Sequence, residues 1–387
     1  MIIGIDATHV VGGGAVSHLK LFLDNYKNLN TKISQIYIWA PKKTLNLLAN
    51  NKKIIKCHNE IFELNFIFKA IWQFFLLKKN LKKFNCSLLF VPTGIFYTDF
   101  KPVVTMSQNL MPFYTNIVKE HFPNLLFFKM KLQKYLFIRS FNNANKVIFL
   151  SDFAKKYVIK FINQLSYNLK IVNHSVDPKL INFFKNKKNS SKAKPKKKIK
   201  ICLLSDINFN KNYQDILRAI SLVRRSHNIQ LLWIGDKNKI LFDSFNKLKN
   251  YLDESGEYIF YKGLLSHEKT MEYVKKSDIF LYSSYCESFP VTILEGMASK
   301  LPMVILDHPL YKEILGNNAF FFKKNNVEDL KSKIILAIEK NFSYHALSKK
   351  NIQLLKNKYN PKQMSLKTFQ ILEDTFFEYN YRNKILK

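Results

Sequence analysis

Short apolar runs alternate along the chain with longer stretches in which apolar residues recur at helical spacing. The first run, Met1 to Ala7, leads into a triple glycine, Gly12 to Gly14, and further strands are expected at Ile33 to Trp39, Lys53 to Lys56, Ser87 to Val91, Val103 to Met106 and Val147 to Ser151. The longest helices expected between them are Phe66 to Phe84 and Leu125 to Ser140. The alternation stops at 185–198, a run of Lys, Asn and Ser with one Ala and one Pro and without a large apolar residue. Such a run repels itself and stays solvated, so it reads as a linker. The pattern then resumes, with strands at Ile199 to Leu204, Ile229 to Gly235, Tyr258 to Lys262, Asp278 to Tyr282, Leu301 to Leu306 and Ala319 to Phe322. Strands alternating with helices on both sides of the linker predict two α/β domains, each a parallel sheet wound from both faces. The expected division is a first domain at 1–184, a second at 199–360 and a last helical segment at 361–387.

Composition supports two buried cores. The chain has 387 residues, 47% of them hydrophobic and 14% aromatic, and its 10 Gly and 11 Pro leave little room for low-complexity linkers. Its four Cys (Cys57, Cys86, Cys202, Cys286) lack metal-site spacing, and no secretory segment is read at the start, which points to a reducing cytoplasm. Charge changes the picture more. The 62 Lys plus Arg against 28 Asp plus Glu give a net charge of +34, a strong attraction for any polyanion. An AT-rich codon bias toward Lys, Asn, Ile and Phe accounts for part of this excess without changing how the charge acts.

No run reaches the roughly 20 apolar residues of a membrane span. The nearest, Ile61 to Leu77, is interrupted by Glu63, Lys69 and Gln73 and runs into Lys78, Lys79, Lys82 and Lys83. Aromatic and aliphatic residues flanked by Lys suit a helix lying in a membrane interface, and the alternative is a domain helix with one buried and one wet face. Leu125 to Ser140, with Lys129, Lys131, Lys134 and Arg139 between aromatic residues, is a second basic-aromatic element.

The candidate chemistry lies in Ser283 to Ala298, between two runs short enough to be buried strands. Strand, loop, helix and strand are expected, with Ser288 as a nearby cap, Pro290 in the first helical turn and Lys300 at the end. That geometry puts Glu287 at the carboxyl edge of a strand and Glu295 on the following helix. Both can face the crevice where open α/β sheets bind ligands, and the helix start offers N–H groups to an anion. A ligand with hydroxyls and phosphate fits.

The wording Glu287-Ser-Phe-Pro-Val-Thr-Ile-Leu-Glu295-Gly-Met-Ala, followed by Lys300 to Val304, resembles the donor-sugar signature of the family 4 retaining glycosyltransferases of the GT-B fold. The resemblance covers most of the chain and is densest from Ile199 to Ala337. It implies two Rossmann-like βαβ domains facing across a cleft, with the C-terminal helix crossing back to the first domain. It also implies that Glu287 contacts the transferred sugar, Glu295 holds the nucleotide ribose, and amides around Ser288 and Phe289 help bind the diphosphate.

Lys211-Asn212 resembles the family's Lys followed by Gly or Asn, which grips the donor diphosphate, but Ser205-Asp206 stands where an Arg is expected. Lys211 then carries most of the side-chain charge. Gly12, Gly13 and Gly14 look like the family's glycine loop near the diphosphate, and Ser107 to Phe113 resembles the acceptor-side loop, with Gln108 where His is frequent and Asn109 beside it. His174, in a turn like the one that closes the family's first domain, reads as structural.

The implied activity is transfer of a sugar from a nucleotide sugar, with retention and without a metal or other cofactor, since no Asp-x-Asp is present. The acceptor hydroxyl attacks on the face of the leaving group and gives its proton to the diphosphate. The basic-aromatic helices point to a lipid-linked saccharide acceptor at an anionic membrane, as in polysaccharide or lipopolysaccharide synthesis, with the protein peripheral on the cytoplasmic face of the plasma membrane. Two alternatives stand beside this reading. One is a non-catalytic or epimerase-type sugar-nucleotide binder of the same fold. The other is a basic nucleic-acid-binding protein, against which count the scattered Lys and the absence of a stacking-aromatic motif.

Overall fold

The computed structural model of the chain describes residues 1–26, 29–114, 124–185, 198–340 and 344–385. Two compact units are present, residues 1–175 with 359–387, and residues 176–358.

The first unit holds seven parallel strands: β1 (Ile2–Asp6), β2 (Gln35–Trp39), β3 (Ile54–Cys57), β4 (Leu88–Val91), β5 (Val103–Ser107), β6 (Lys146–Phe149) and β7 (Leu169–Ile171). Their order is β3-β2-β1-β4-β5-β6-β7, with Ile5 of β1 level with Ile38 of β2 and Phe90 of β4. Every residue of β4, β5 and β6 is buried, as expected for parallel strands covered on both faces. The second unit repeats the plan with β8 (Ile199–Leu204), β9 (Ile229–Ile234), β10 (Ile259–Tyr261), β11 (Ile279–Tyr282), β12 (Met303–Leu306) and β13 (Phe320–Phe322), in the order β10-β9-β8-β11-β12-β13.

The expected strands therefore form, most trimmed by a residue or two at their ends. The units meet the chain at points other than the expected ones. The helix Pro178–Phe183 packs on the helix Val291–Ser299, so residues 176–184 group with the second unit. The helix Pro361–Ile385 returns to the first unit and packs on the helix Gly13–Asp24. There Phe369 stacks on Phe22 with centroids 4.4 Å apart, and the Ser365 hydroxyl donates to Phe22 O at 3.1 Å. Lys146 Nζ also meets Glu378 Oε1 at 2.6 Å. Of the expected linker, residues 186–197 lie outside the described residues.

The stretch Phe66–Lys83 is helical throughout, but its middle, Gln73–Leu77, is a π turn, a rarity that places one extra residue in the ring. It buries Trp72, Leu77 and Leu81 in the core, with two polar residues beside them, and leaves a large apolar face outside. Lys69 is 7% exposed and Gln73 0%, whereas Ile67 is 65% and Phe75 61% exposed, and Phe66, Phe68, Ile71, Phe74 and Leu76 also face solvent. Gln73 faces inward because its Nε2 donates to Asp6 Oδ2 at 2.5 Å, while Asp6 Oδ1 accepts from Thr8 N and Thr8 Oγ1 at 3.2 and 2.7 Å. These bonds hold a carboxyl whose pKa burial raises above its ordinary range. The second basic-aromatic helix, Asn124–Asn143, exposes Phe128, Leu132 and Tyr135, one stripe at helical spacing. No helix among the described residues is long and apolar enough to cross a membrane.

Candidate functional site in the second unit

β8 and β11 are neighbours, with Leu203 opposite Leu281, yet the chain leaves β8 toward β9 and leaves β11 toward β12. Their carboxyl ends thus form the point at which strand order reverses, where loops diverge and leave a crevice. The loop after β8 carries Lys211, and the loop after β11 carries Glu287.

The two loops are bonded to each other before any ligand arrives. Asn210 Nδ2 donates to Ser284 Oγ and Cys286 O, both at 3.1 Å, and Tyr285 N donates to Asn210 O at 3.1 Å. Tyr285 OH reaches Phe209 O at 2.5 Å, and Tyr311 OH holds Ser284 O at 2.5 Å from below. On this frame Lys211 Nζ lies 2.5 Å from Glu287 Oε1, which also accepts from Ser284 Oγ at 2.9 Å and Tyr282 OH at 3.1 Å. Three donors converge on one carboxylate oxygen, so both Glu287 and the Lys211 ammonium are fixed in place.

The neighbouring titratable groups are held neutral. Burial first, then the adjacent Glu287, pushes the Tyr282 phenol well above its ordinary pKa. Burial and Glu287 also push the Cys286 thiol up, which removes it as a nucleophile at neutral pH. Burial brings the His308 imidazole down to about 4, against the opposing pull of Asp307 and Glu287.

Asn212 has φ 53° and ψ 42°, a left-handed conformation that explains why Gly or Asn follows the Lys. Its side-chain Nδ2 donates to Asp215 Oδ2 at 3.0 Å, so the residue shapes the turn that starts the Tyr213–Arg224 helix. Where an Arg was expected, Asp206 Oδ1 accepts from Asp236 N at 2.8 Å.

The helix Val291–Ser299 starts differently from the sequence reading. Pro290 is the cap residue itself, with φ −79° and ψ 115°, and no side chain caps the helix; Ser288 and Phe289 are buried in the loop before it. Proline fits because that position needs no N–H. Lys300 ends the helix in a left-handed conformation, φ 61°. Between these ends, a Cβ on Gly296 would come within 2.7 Å of Phe280 Cε1 and 2.8 Å of Met303 Cε, so only glycine lets the helix lie this close to the sheet.

That seating fixes where Glu295 stands. Its Oε1 lies 2.8 Å from His267 Nε2, with the Glu295 side chain 14% and the His267 side chain 66% exposed. The hydrogen bond to Glu295 is the main cause that raises the His267 pKa, with Asp177 adding to it. The site thus holds two separate pairs, Glu287 with Lys211 and Glu295 with His267. Sequence reasoning missed His267; the signal was Ser266-His267 at the start of an expected helix, where Ser266 Oγ accepts from Lys269 N at 3.3 Å.

The predicted residues of the first unit lie at the carboxyl ends of its strands. Gly12 is extended at φ −179° and Gly13 left-handed at φ 59°, with nothing within 4 Å of a Cβ on either, and Gly13 and Gly14 already belong to the helix Gly13–Asp24. Gln108 Nε2 donates to Pro92 O at 2.9 Å, and Asn109 Oδ1 accepts from Met111 N at 2.9 Å, so both amides hold local turns. His174 is buried, its Nδ1 2.9 Å from His18 Nδ1, which requires one ring to donate and the other to accept. Burial lowers the His18 pKa to about 4 and that of His174 well below its ordinary value. The buried bond of Gln73 to Asp6, and Lys69 close enough to His9 to help lower its pKa, were not read from the sequence.

Residues 184–354 match the family described as glycosyl transferases group 1. That segment is a group 1 glycosyl transferase domain. The fold of the chain is GT-B, as expected, and solved structures share it over nearly the whole length. A glycosyltransferase from Rickettsia africae has a TM-score of 0.69 and 17% identity, covering 97% of this chain and 98% of that one. An Anabaena protein, HepE, solved with UDP and glucose, has a TM-score of 0.66 and 14% identity, covering 96% and 99%. Among curated relatives, the alpha-galactosylglucosyldiacylglycerol synthase of Streptococcus pneumoniae is 25% identical over 193 residues, 44% of this chain and 51% of that protein. The chain spans about half the length of the curated relatives it matches first.

Proposed function

We propose that this group 1 glycosyl transferase domain serves a retaining transfer of a sugar from a nucleotide-sugar donor to a saccharide acceptor. The observation that carries the reading is Lys211 fixed 2.5 Å from Glu287 at the strand-order reversal, within the wording of the donor-sugar signature. In the step, the bond from the anomeric carbon to the diphosphate oxygen breaks and a bond to the acceptor oxygen forms on the same face. The acceptor proton goes to the departing diphosphate. Lys211 and amides of the loop around Ser288 and Phe289 neutralise the charge that develops there, and one preorganised donor of this kind contributes ~3 kcal/mol. Glu287 orients the sugar, Glu295 accepts from the ribose hydroxyls, and no metal is required. Turnover with a sugar nucleotide that survives Lys211→Ala would remove Lys211 from this role.

The acceptor is proposed to be a lipid-linked saccharide at an anionic membrane, as in surface-polysaccharide synthesis, with the protein peripheral on the cytoplasmic face. Support comes from the helix Phe66–Lys83, whose exposed Phe and Ile residues continue into Lys78, Lys79, Lys82 and Lys83, and from the net charge of +34. It also comes from the names of matched relatives, which include two Streptococcus pneumoniae glycolipid synthases. Co-sedimentation with vesicles of anionic phospholipid at low salt tests it. Retention of the protein in the supernatant would contradict it. A second reading, a sugar-nucleotide binder without transfer, draws on Asp206 standing where the diphosphate Arg was expected. A donor-induced thermal shift without transfer or hydrolysis would favour it.

A further inference from the structure

Glu295 is the less protected of the two acids. Glu287 has three donors on one oxygen, whereas Glu295 has one bond, to a histidine from another element. A free glutamate side chain loses rotamer entropy when a ligand fixes it. A donor that fixes it beforehand removes that cost from ligand binding.

His267 is built to be such a donor. It is the first residue of the helix His267–Lys275, whose Ser266 cap is bonded to Lys269 N, and Thr270 Oγ1 donates back to Ser266 O at 2.9 Å. The loop before it turns at Gly263, φ 70°, whose carbonyl accepts from Gly235 N at 3.1 Å, while Tyr261 OH donates to Gly235 O at 3.0 Å. The imidazole therefore stands on an anchored element. Its Nε2 takes Glu295 Oε1, and Oε2 makes no bond among the described residues. Glu295 for its part sits on a helix that Gly296 seats against Phe280 and Met303.

We propose that His267 is a positioning residue for nucleotide recognition: it holds Glu295 Oε1 so that Oε2 is presented to the hydroxyls of a ribose. The inference rests on the donor-site reading of Glu295 given above. It makes recognition of the ribose, as distinct from the diphosphate, depend on a residue outside the Glu-x7-Glu wording. The upward shift of the His267 pKa agrees with a ring whose proton is shared with a carboxylate.

The test is calorimetric binding of UDP, GDP and ADP, and of their 2′,3′-dideoxy counterparts, to the full chain and to His267→Ala, His267→Gln, Glu295→Ala and the double Ala variant. For the nucleotide that binds, His267→Ala is expected to weaken affinity about 10-fold, the size of one hydrogen bond to a charged group. His267→Gln, which keeps a donor, stays within about 3-fold of the parent. The dideoxy nucleotide binds parent and His267→Ala alike, and the double variant is no weaker than Glu295→Ala. In turnover the loss appears in KM and leaves kcat in place. Unchanged affinity in His267→Ala, with Glu295→Ala weakened, overturns the inference and leaves the donor-site reading standing. Full affinity in Glu295→Ala overturns that reading itself. Equal weakening of ribose and dideoxy nucleotides would show a merely structural effect of His267 and also overturn the inference.

Discussion

The helices Val291–Ser299 and Phe66–Lys83 share a composition of apolar residues with polar residues at intervals, and the fold uses them differently. The first buries Ile293, Leu294, Met297 and Ala298 and leaves its acid, Glu295, partly exposed beside His267. The second buries Lys69 and Gln73 beside Trp72, Leu77 and Leu81 and leaves seven Phe, Ile and Leu side chains in solvent. What decides is the local partner: Phe280 and Met303 receive an apolar face, whereas Asp6 receives the Gln73 amide. The lesson is that a polar interruption with a buried partner of its own takes a place on the inner face, and part of the apolar run is then left outside. An exposed apolar area of this extent, bordered by Lys, is then a surface for something else.

If the two helices serve different partners, changes at one leave the other's partner unaffected. The largest expected effect is at the ion pair. Lys211→Ala or Glu287→Ala lowers kcat by about 10²–10³ in a transfer assay, as loss of one preorganised group does elsewhere, while vesicle binding is unchanged. Next comes the exposed face. Ile67→Ser with Phe74→Ser and Phe75→Ser removes three side chains that each contribute up to ~1.5–3 kcal/mol when fully buried, so with partial burial vesicle affinity falls about 100-fold while nucleotide affinity holds. Loss of nucleotide binding in that triple variant would break the comparison.

Two smaller effects sharpen it. Gly296→Ala forces a methyl into Phe280 and Met303 and is expected to destabilise the second unit by ~1–3 kcal/mol, read from denaturant unfolding. In the first unit, His18 and His174 are held neutral by burial, their folded pKa values lying below the ordinary 6.5. The folded state thus binds fewer protons than the unfolded one, so this stability is present above pH 6.5 and lost as pH falls toward about 4. The slope is at most ~1.4 kcal/mol per pH unit for each ring. A His18→Leu, His174→Leu double variant should lose this slope, and an unchanged acid transition would place the sensitivity elsewhere.

Much of the fold was legible because parallel strands covered on both faces are apolar throughout, and every expected strand from Met1 to Phe322 has its counterpart. The Glu287 loop and Lys211 were legible because their wording is dense. The rest depends on contacts that sequence spacing does not carry. Pro290 took the cap position that Ser288 was expected to serve, because the loop turns Ser288 inward. His267 lies 28 positions from Glu295 and meets it only through the sheet order. The π turn at Gln73–Leu77 has no composition of its own; it begins at Gln73, whose amide reaches Asp6, 67 positions away.

The most direct test of the central claim, a nucleotide-sugar site built on Glu287, Glu295 and Lys211, is a thermal-shift panel of UDP-, GDP- and ADP-sugars on the parent chain and on Glu295→Ala. The account predicts that at least one sugar nucleotide raises the melting temperature of the parent and that Glu295→Ala loses most of that shift. No response across the panel, or a shift of equal size in the variant, would contradict it.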